Sequence, residues 1–267
     1  MIRLVIMLLC IYIFSATAFA QNCPPDTLNS YKEKYIRPIY NIRETSPDEA
    51  IKNINILIQD TIPQLLIDCQ NELLATSYNV RGLAEKYASA YFSSRTSFQQ
   101  AMVTTNSNIE KGKFYSNACD LEKIIGNYDT AFLYCNTAIE LLKEDSTAEQ
   151  FLAKAYLNKA NIFIEQDSIE MDIVELCINK VKELSPNEED IKTLEYNYAL
   201  ALIRQDRYED AHSLLNECYR YYTASNDKLN LARVAEAFGE INYSKGNFRK
   251  AKQYKVLPKG WTEKYNI

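Results

Sequence analysis

Gly126-Asn127-Tyr128-Asp129-Thr130-Ala131 returns as Asp206-Arg207-Tyr208-Glu209-Asp210-Ala211 and again as Gly246-Asn247-Phe248-Arg249-Lys250-Ala251. The aromatic residues stand at 128, 208 and 248, so the last two are 40 residues apart and the first two twice that. A degenerate copy fills the gap: Gln166-Asp167-Ser168-Ile169-Glu170 parallels Gln205-Asp206-Arg207-Tyr208-Glu209, with Ile169 in the aromatic slot. A fixed period of this length marks a chain of supersecondary units, each too small to bury its own apolar face alone.

Every anchor sits between two helical patterns. Before Tyr208, Leu194, Tyr198, Ala201 and Leu202 recur at helical spacing; after it, Ala211, Leu214, Leu215, Cys218, Tyr219 and Tyr222 do the same. The next pair opens with Leu231, Ala235, Phe238 and Gly239, where a missing side chain lets two helices approach. Small turn residues reverse the chain between antiparallel helices. With 6 Gly and 7 Pro, the sequence is poor in the turn residues that all-β folds need, and 20 Tyr against one Trp suits interlocking helix pairs.

These residues resemble the tetratricopeptide repeat. A small residue in helix A (Ala199, Gly239) faces a small residue in helix B (Ala211, Ala251), and an aromatic opens helix B (Tyr128, Tyr208, Phe248). Pro186 after Val181-Lys182-Glu183-Leu184-Ser185 matches the proline that often closes a unit. The resemblance implies an all-α fold, an α-α superhelical solenoid of helix hairpins with a period of about 40 residues, longer than the usual 34. Residues 111–257 carry it.

Residues 21–110 are helical but less regular. Ser46-Pro47-Asp48-Glu49 reads as a helix start, with Ser46 as a cap accepting from a free N–H, Pro47 at the first position and acids at the positive end. Ala50, Ile54, Leu57 and Ile58 then share a face. Residues 63–92 read as one or two helices, and Phe98-Gln99-Gln100-Ala101 as another aromatic-x-x-Ala opening, giving two divergent repeats. Residues 258–267 form a tail with Pro258, Gly260, Trp261 and Tyr265. Either Trp261 folds back to cover the end of the stack, or this end docks on a partner, or the chain is cut short relative to longer relatives.

Residues 1–20 have the architecture of a cleavable secretory signal. Arg3 lies in a short basic start, residues 4–14 are apolar, and Ala18 and Ala20 supply the small residues before Gln21. The apolar run is shorter than a bilayer span. The expectation is therefore a periplasmic or secreted protein with no membrane-spanning segment in the mature chain. Loss of Arg3 takes the net charge from −5 to −6, and an acidic protein lacks the positive field that phosphate backbones require, so nucleic acid is not expected as a partner. Six cysteines remain: Cys23, Cys69, Cys119, Cys135, Cys177 and Cys218. None forms a CxxC pair, and each fits a small buried apolar slot as well as a disulfide. Repeat register puts Cys119 in helix A and Cys135 in helix B of one hairpin, facing one another in related repeats, which makes them the pair to test.

Catalytic apparatus is sparse. His212 is the one histidine, too few for a His-rich metal site or an acid–histidine–nucleophile set. No glycine-rich phosphate loop occurs. The carboxylates of Glu188-Glu189-Asp190 and of Glu140, Glu144 and Asp145 fall near helix ends, where solvated charge is the default. Arg249, Lys250, Lys252 and Lys255 form a basic cluster that reads first as a solvated last helix. The expectation is no enzyme, no cofactor and no metal.

A binding function would live on the concave surface that successive A helices line. Register places Lys154, Asn158 and Asn161 there from one repeat, Tyr196, Asn197 and Arg204 from the next, and Arg233, Glu236, Glu240 and Tyr243 from the last. Asn161, Asn197 and Arg233 are similar to part of the carboxylate clamp by which some repeats of this family grip a peptide C-terminus, although Leu157 and Ala237 stand where that clamp holds basic residues. The expected partner is a protein or peptide. The alternative is a sensory module, since the chain also resembles exported repeat regions of bacterial membrane signalling proteins; an enzyme with a helical-toroid fold ranks third.

Overall fold

The structure is a computed structural model describing residues 23–166, 170–184 and 187–254. Its described residues contain α1 (Pro25–Tyr31), α2 (Arg37–Ile42), α3 (Pro47–Ile56), α4 (Ile67–Tyr87), α5 (Tyr91–Thr104), α6 (Asn108–Ile125), α7 (Tyr128–Leu142), α8 (Glu149–Glu165), α9 (Met171–Leu184), α10 (Glu188–Arg204), α11 (Tyr208–Ala224) and α12 (Lys228–Ser244), with residues 248–254 also helical and no strand. The chain divides into two compact units, one ending at Ile125 and the other beginning at Gly126. The readings that rest on residues 1–22, Ile169, Pro186, Lys255 and the tail lie outside the described residues.

The hairpin period extends through the whole described chain. The first helices of successive hairpins begin at Pro25, Ile67, Asn108, Glu149, Glu188 and Lys228, at intervals of about 40 residues. In the second unit, α8 pairs with α9 and α10 with α11, while α8 touches α10 and α10 touches α12, so the A helices form one continuous inner layer. In the first unit, α4 pairs with α5 and also touches α6.

Turn chemistry explains the repeated Gly-Asn-Tyr and Asp-Arg-Tyr signals. A residue in the left-handed region stands two places before helix B: Ser89 (φ 59°), Gly126 (87°), Asp206 (58°) and Gly246 (75°). The residue that follows it donates back five places, as Ala90 N to Glu85 O (2.8 Å), Arg207 N to Leu202 O (2.9 Å) and Asn247 N to Asn242 O (2.8 Å). This is the Schellman closure of a helix C-terminus. Asn226 (φ 55°) closes α11 in the same way before α12.

Nine residues before four of the five B-helix starts from Tyr91 onward comes a buried small residue, Gly82, Cys119, Ala199 and Gly239; before Met171 that place holds buried Ile162. Three residues after the start lies its counterpart: Ser94, Ala131, Val174, Ala211 and Ala251, all buried. The structure corrects three sequence readings. Phe98 does not open a B helix. That place belongs to Tyr91, with buried Ser94 where the others carry alanine, and Ser94 Oγ donates to Gly82 O at 2.7 Å. The degenerate copy shifts register: helix α9 starts at Met171, and buried Val174 three residues on fills the small slot. Ser46 occupies the cap position of α3, but its side chain makes no capping hydrogen bond.

Two π-helical turns, Lys32–Ile36 and Leu57–Thr61, interrupt the first hairpin. Each comes just before a proline, Pro38 or Pro63. Proline offers no N–H and its ring crowds the carbonyl four places back, so the helix widens there. Cys23 and Cys69 join this hairpin to the first turn of α4 as a disulfide, around a core that includes Ile36, Ile54, Leu57 and Leu73. Arg81 binds the hairpins further: its guanidinium donates to Ser97 Oγ (2.9 Å), Asn55 Oδ1 (3.2 Å) and Gln100 Oε1 (2.5 Å).

Candidate functional site

The inner layer of the second unit brings some of the expected groove residues together and commits others elsewhere. Asn197 Nδ2 donates to Asn161 Oδ1 at 3.4 Å, bridging α10 and α8. Tyr196 hydroxyl donates to the Arg233 carbonyl at 3.4 Å, bridging α10 and α12. Burial pushes the Tyr196 phenol up to about 12, the nearby carboxylates of Glu236 and Glu240 push the same way, and Arg233 opposes them. Glu236 and Glu240 are exposed one turn apart on α12, and Lys154 is exposed on α8.

Asn158, only 4% exposed, is inside the packing rather than on an open surface. Arg204 Nη2 donates to Ile164 O at 2.6 Å, so this arginine caps the end of the preceding A helix. Arg233 Nη1 donates to Asn230 Oδ1 at 3.2 Å on its own helix. Tyr243 is 61% exposed and meets the Phe248 ring edge-on at 5.3 Å. Forty residues earlier, its slot holds buried Ile203.

One feature escaped the sequence reading. Asn117 Nδ2 donates to Asn79 Oδ1 at 2.9 Å, bridging α6 and α4 as Asn197 bridges α10 and α8. Asn117 and Asn197 both stand eleven residues before a B-helix start, and Asn79 stands twelve before Tyr91. Taking Phe98 for the opening residue shifts the first unit's register by seven, which hides that each unit carries such a pair; Tyr91 as the marker reveals it.

His212 is exposed, shares a 2.9 Å hydrogen bond with Asn216 and packs against the Phe238 ring. Among the described residues, no group of three or more His, Cys, Asp or Glu side chains is placed to hold a metal ion, and no helix is long and apolar enough to cross a membrane. Cys119 and Cys135 are both disulfide-bonded. Cys177 and Cys218 are buried thiols, pushed up to about 11 and about 12, chiefly by burial.

The fold is built from tetratricopeptide-like helix hairpins. Two solved structures share it. BtubC (BKLC) from P. vanneervenii superposes with a TM-score of 0.62 at 13% identity, over 84% of this chain and 92% of that one. Aspartyl phosphate phosphatase F from Bacillus subtilis gives a TM-score of 0.62 at 15% identity, over 91% of this chain and 76% of that one. At such identities the likeness is one of fold. No protein-family model and no curated protein sequence matches the chain.

Proposed function

We propose that this chain is an exported scaffold that binds a protein or peptide along its inner helix layer and catalyses no reaction. The observation that carries the reading is the Asn161–Asn197 amide pair, which joins adjacent A helices of the second unit and has a counterpart within the first unit in Asn79 with Asn117. The Asn161 and Asn197 amides, both part-exposed, each have two donors and two acceptor sites, and their bond to one another uses one donor and one acceptor. The remainder suits the alternating N–H and C=O groups of an extended segment. On the neighbouring α12, Arg233, Glu236 and Glu240 add exposed charge of both signs, which would fix the direction of a bound segment.

Export is supported by the signal-like first 20 residues together with the Cys23–Cys69 bridge and the oxidised Cys119 and Cys135, since disulfides persist in oxidising compartments. The test is affinity capture from the cell envelope with the intact chain and with Asn197→Ala/Arg233→Ala. A retained protein that the double variant loses supports the reading. Equal retention by both sinks it.

A further inference from the structure

Outside the inner layer, a cavity of about 340 Å³ opens between α9 and α11, with α10 as its floor. Its volume lies at the lower end of the range of small-molecule sites. Leu202 and Ile178 give it an apolar base, and on the floor lies the carboxylate of Glu195, fully buried at 0% exposure. A carboxylate with no access to water needs a cation. Two ammonium groups meet it, and they differ. Lys192, one turn earlier on α10 and itself 13% exposed, holds Oε2 at 2.8 Å. Lys182 reaches across from α9 to Oε1 at 2.5 Å, with its side chain 44% exposed. Beside this pair, Asn179 on α9 and Ser213 on α11 line opposite walls, and neither has a hydrogen-bond partner among the described residues.

We propose that this cavity is a binding site for a free α-amino acid. The ligand's ammonium takes Oε1 of Glu195 in place of Lys182, and the displaced Lys182 ammonium turns to the ligand's carboxylate. One ion pair becomes two, and no buried charge is left alone. Asn179 and Ser213 supply further hydrogen bonds, and the ligand side chain lies over Leu202. A fixed anion beside a movable cation selects a zwitterion over a simple amine or a simple acid. An amine gives no anion to Lys182, and an acid leaves Glu195 with nothing to exchange. The cavity is formed by residues of α9, α10 and α11 and by Arg207 in the turn between the last two, none of them part of the asparagine pairs, so it stands or falls apart from the peptide-binding reading.

The experiment is isothermal titration of the full chain with L-leucine, L-glutamate and glycine, alongside 4-methylpentanoate and isoamylamine as the analogues lacking the ammonium and the carboxylate. At least one amino acid should bind saturably, with each of the two analogues at least about tenfold weaker than L-leucine. Lys182→Ala should weaken the amino acid about tenfold while the chain stays folded, because Glu195 keeps Lys192. Ser213→Leu, on an exposed wall, should fill the cavity and abolish binding, whereas Asn197→Ala/Arg233→Ala should leave it unchanged. Absence of saturable heat with every amino acid at millimolar concentration overturns the proposal, and so does unchanged binding by Lys182→Ala.

Discussion

The ring of Phe98 occupies the space that a side chain on Gly82 would need: a Cβ there would lie 2.8 Å from both Cδ1 and Cε1. Phe98 is 1% exposed and cannot swing aside, so Gly82→Ala should destabilise the first unit by about 1–2 kcal/mol, the cost of overpacking less the helix propensity that alanine gains. At the register-equivalent Gly239 the nearest atom is Tyr254 Cβ at 3.3 Å, and Gly239→Ala should cost much less. Urea midpoints of the two variants decide it. Equal midpoints would mean that Phe98 does not hold this place.

The turns make a cleaner comparison, because no atom lies within 4 Å of a Cβ added at Gly126 or Gly246. Only the left-handed backbone resists substitution there, at roughly 1 kcal/mol for Gly126→Ala or Gly246→Ala. Ser89 already bears that strain at φ 59°, so Ser89→Gly should raise stability by about 0.5–1 kcal/mol. Thermal unfolding of the three variants should show two losses and one gain. A loss for Ser89→Gly contradicts the assigned backbone.

Tyr128, Tyr208 and Phe248 made the repeats from residue 111 onward legible, since turn chemistry and the aromatic opening fall together in those copies. The first unit hid its register for a physical reason. Its small slot opposite Gly82 is filled by Ser94, whose hydroxyl is satisfied by a helix carbonyl, so a pattern that looks for alanine moves on to Phe98-x-x-Ala101. The candidate surface was legible in part. Side-chain periodicity placed Asn161 and Asn197 on neighbouring helices, yet it could not show that Arg204 would turn back to cap α8 or that Asn158 would be buried. Those outcomes depend on side-chain direction and packing depth, which spacing does not encode.

The cysteines separate into two chemical groups. Closing the loop between Cys23 and Cys69, 46 residues apart in sequence, removes chain entropy from the unfolded state worth about 4 kcal/mol in the loop model. Cys23→Ala/Cys69→Ala should therefore lower stability by roughly 2–4 kcal/mol. Cys119 and Cys135 fill the slots that Gly82 and Phe98 hold one hairpin earlier, and we expect them in one disulfide-linked peptide pair when the oxidised chain is digested. Alkylation at pH 8 should spare Cys177 and Cys218 in the folded chain, where burial keeps their thiols protonated, and modify both after denaturation. Mass mapping that finds Cys119 and Cys135 in different linkages would break the pairing.

Acid should act on the first unit through two carboxylates with opposite signs. Burial alone would raise Glu110, but Lys32 at 3.2 Å and Lys113 at 3.3 Å outweigh it and hold the carboxyl below its ordinary 4.5. A lowered acid contributes stability that is complete above its unfolded value and is lost as pH falls through the folded one. Glu85 goes the other way. Burial raises it above 4.5, against a hydrogen bond from Ser97 and the charge of Arg81, so folding favours its protonated form and this group's contribution improves as pH falls. Glu110→Gln should thus be less stable than the parent at neutral pH and lose less below about 4.5. Glu85→Gln should match or exceed the parent at neutral pH, because glutamine still accepts from Ser97 without a buried charge. Urea midpoints measured across the acid range test both. A parent-like acid slope in Glu110→Gln would show that the tie from α6 to Lys32, just after α1, is not what acid breaks.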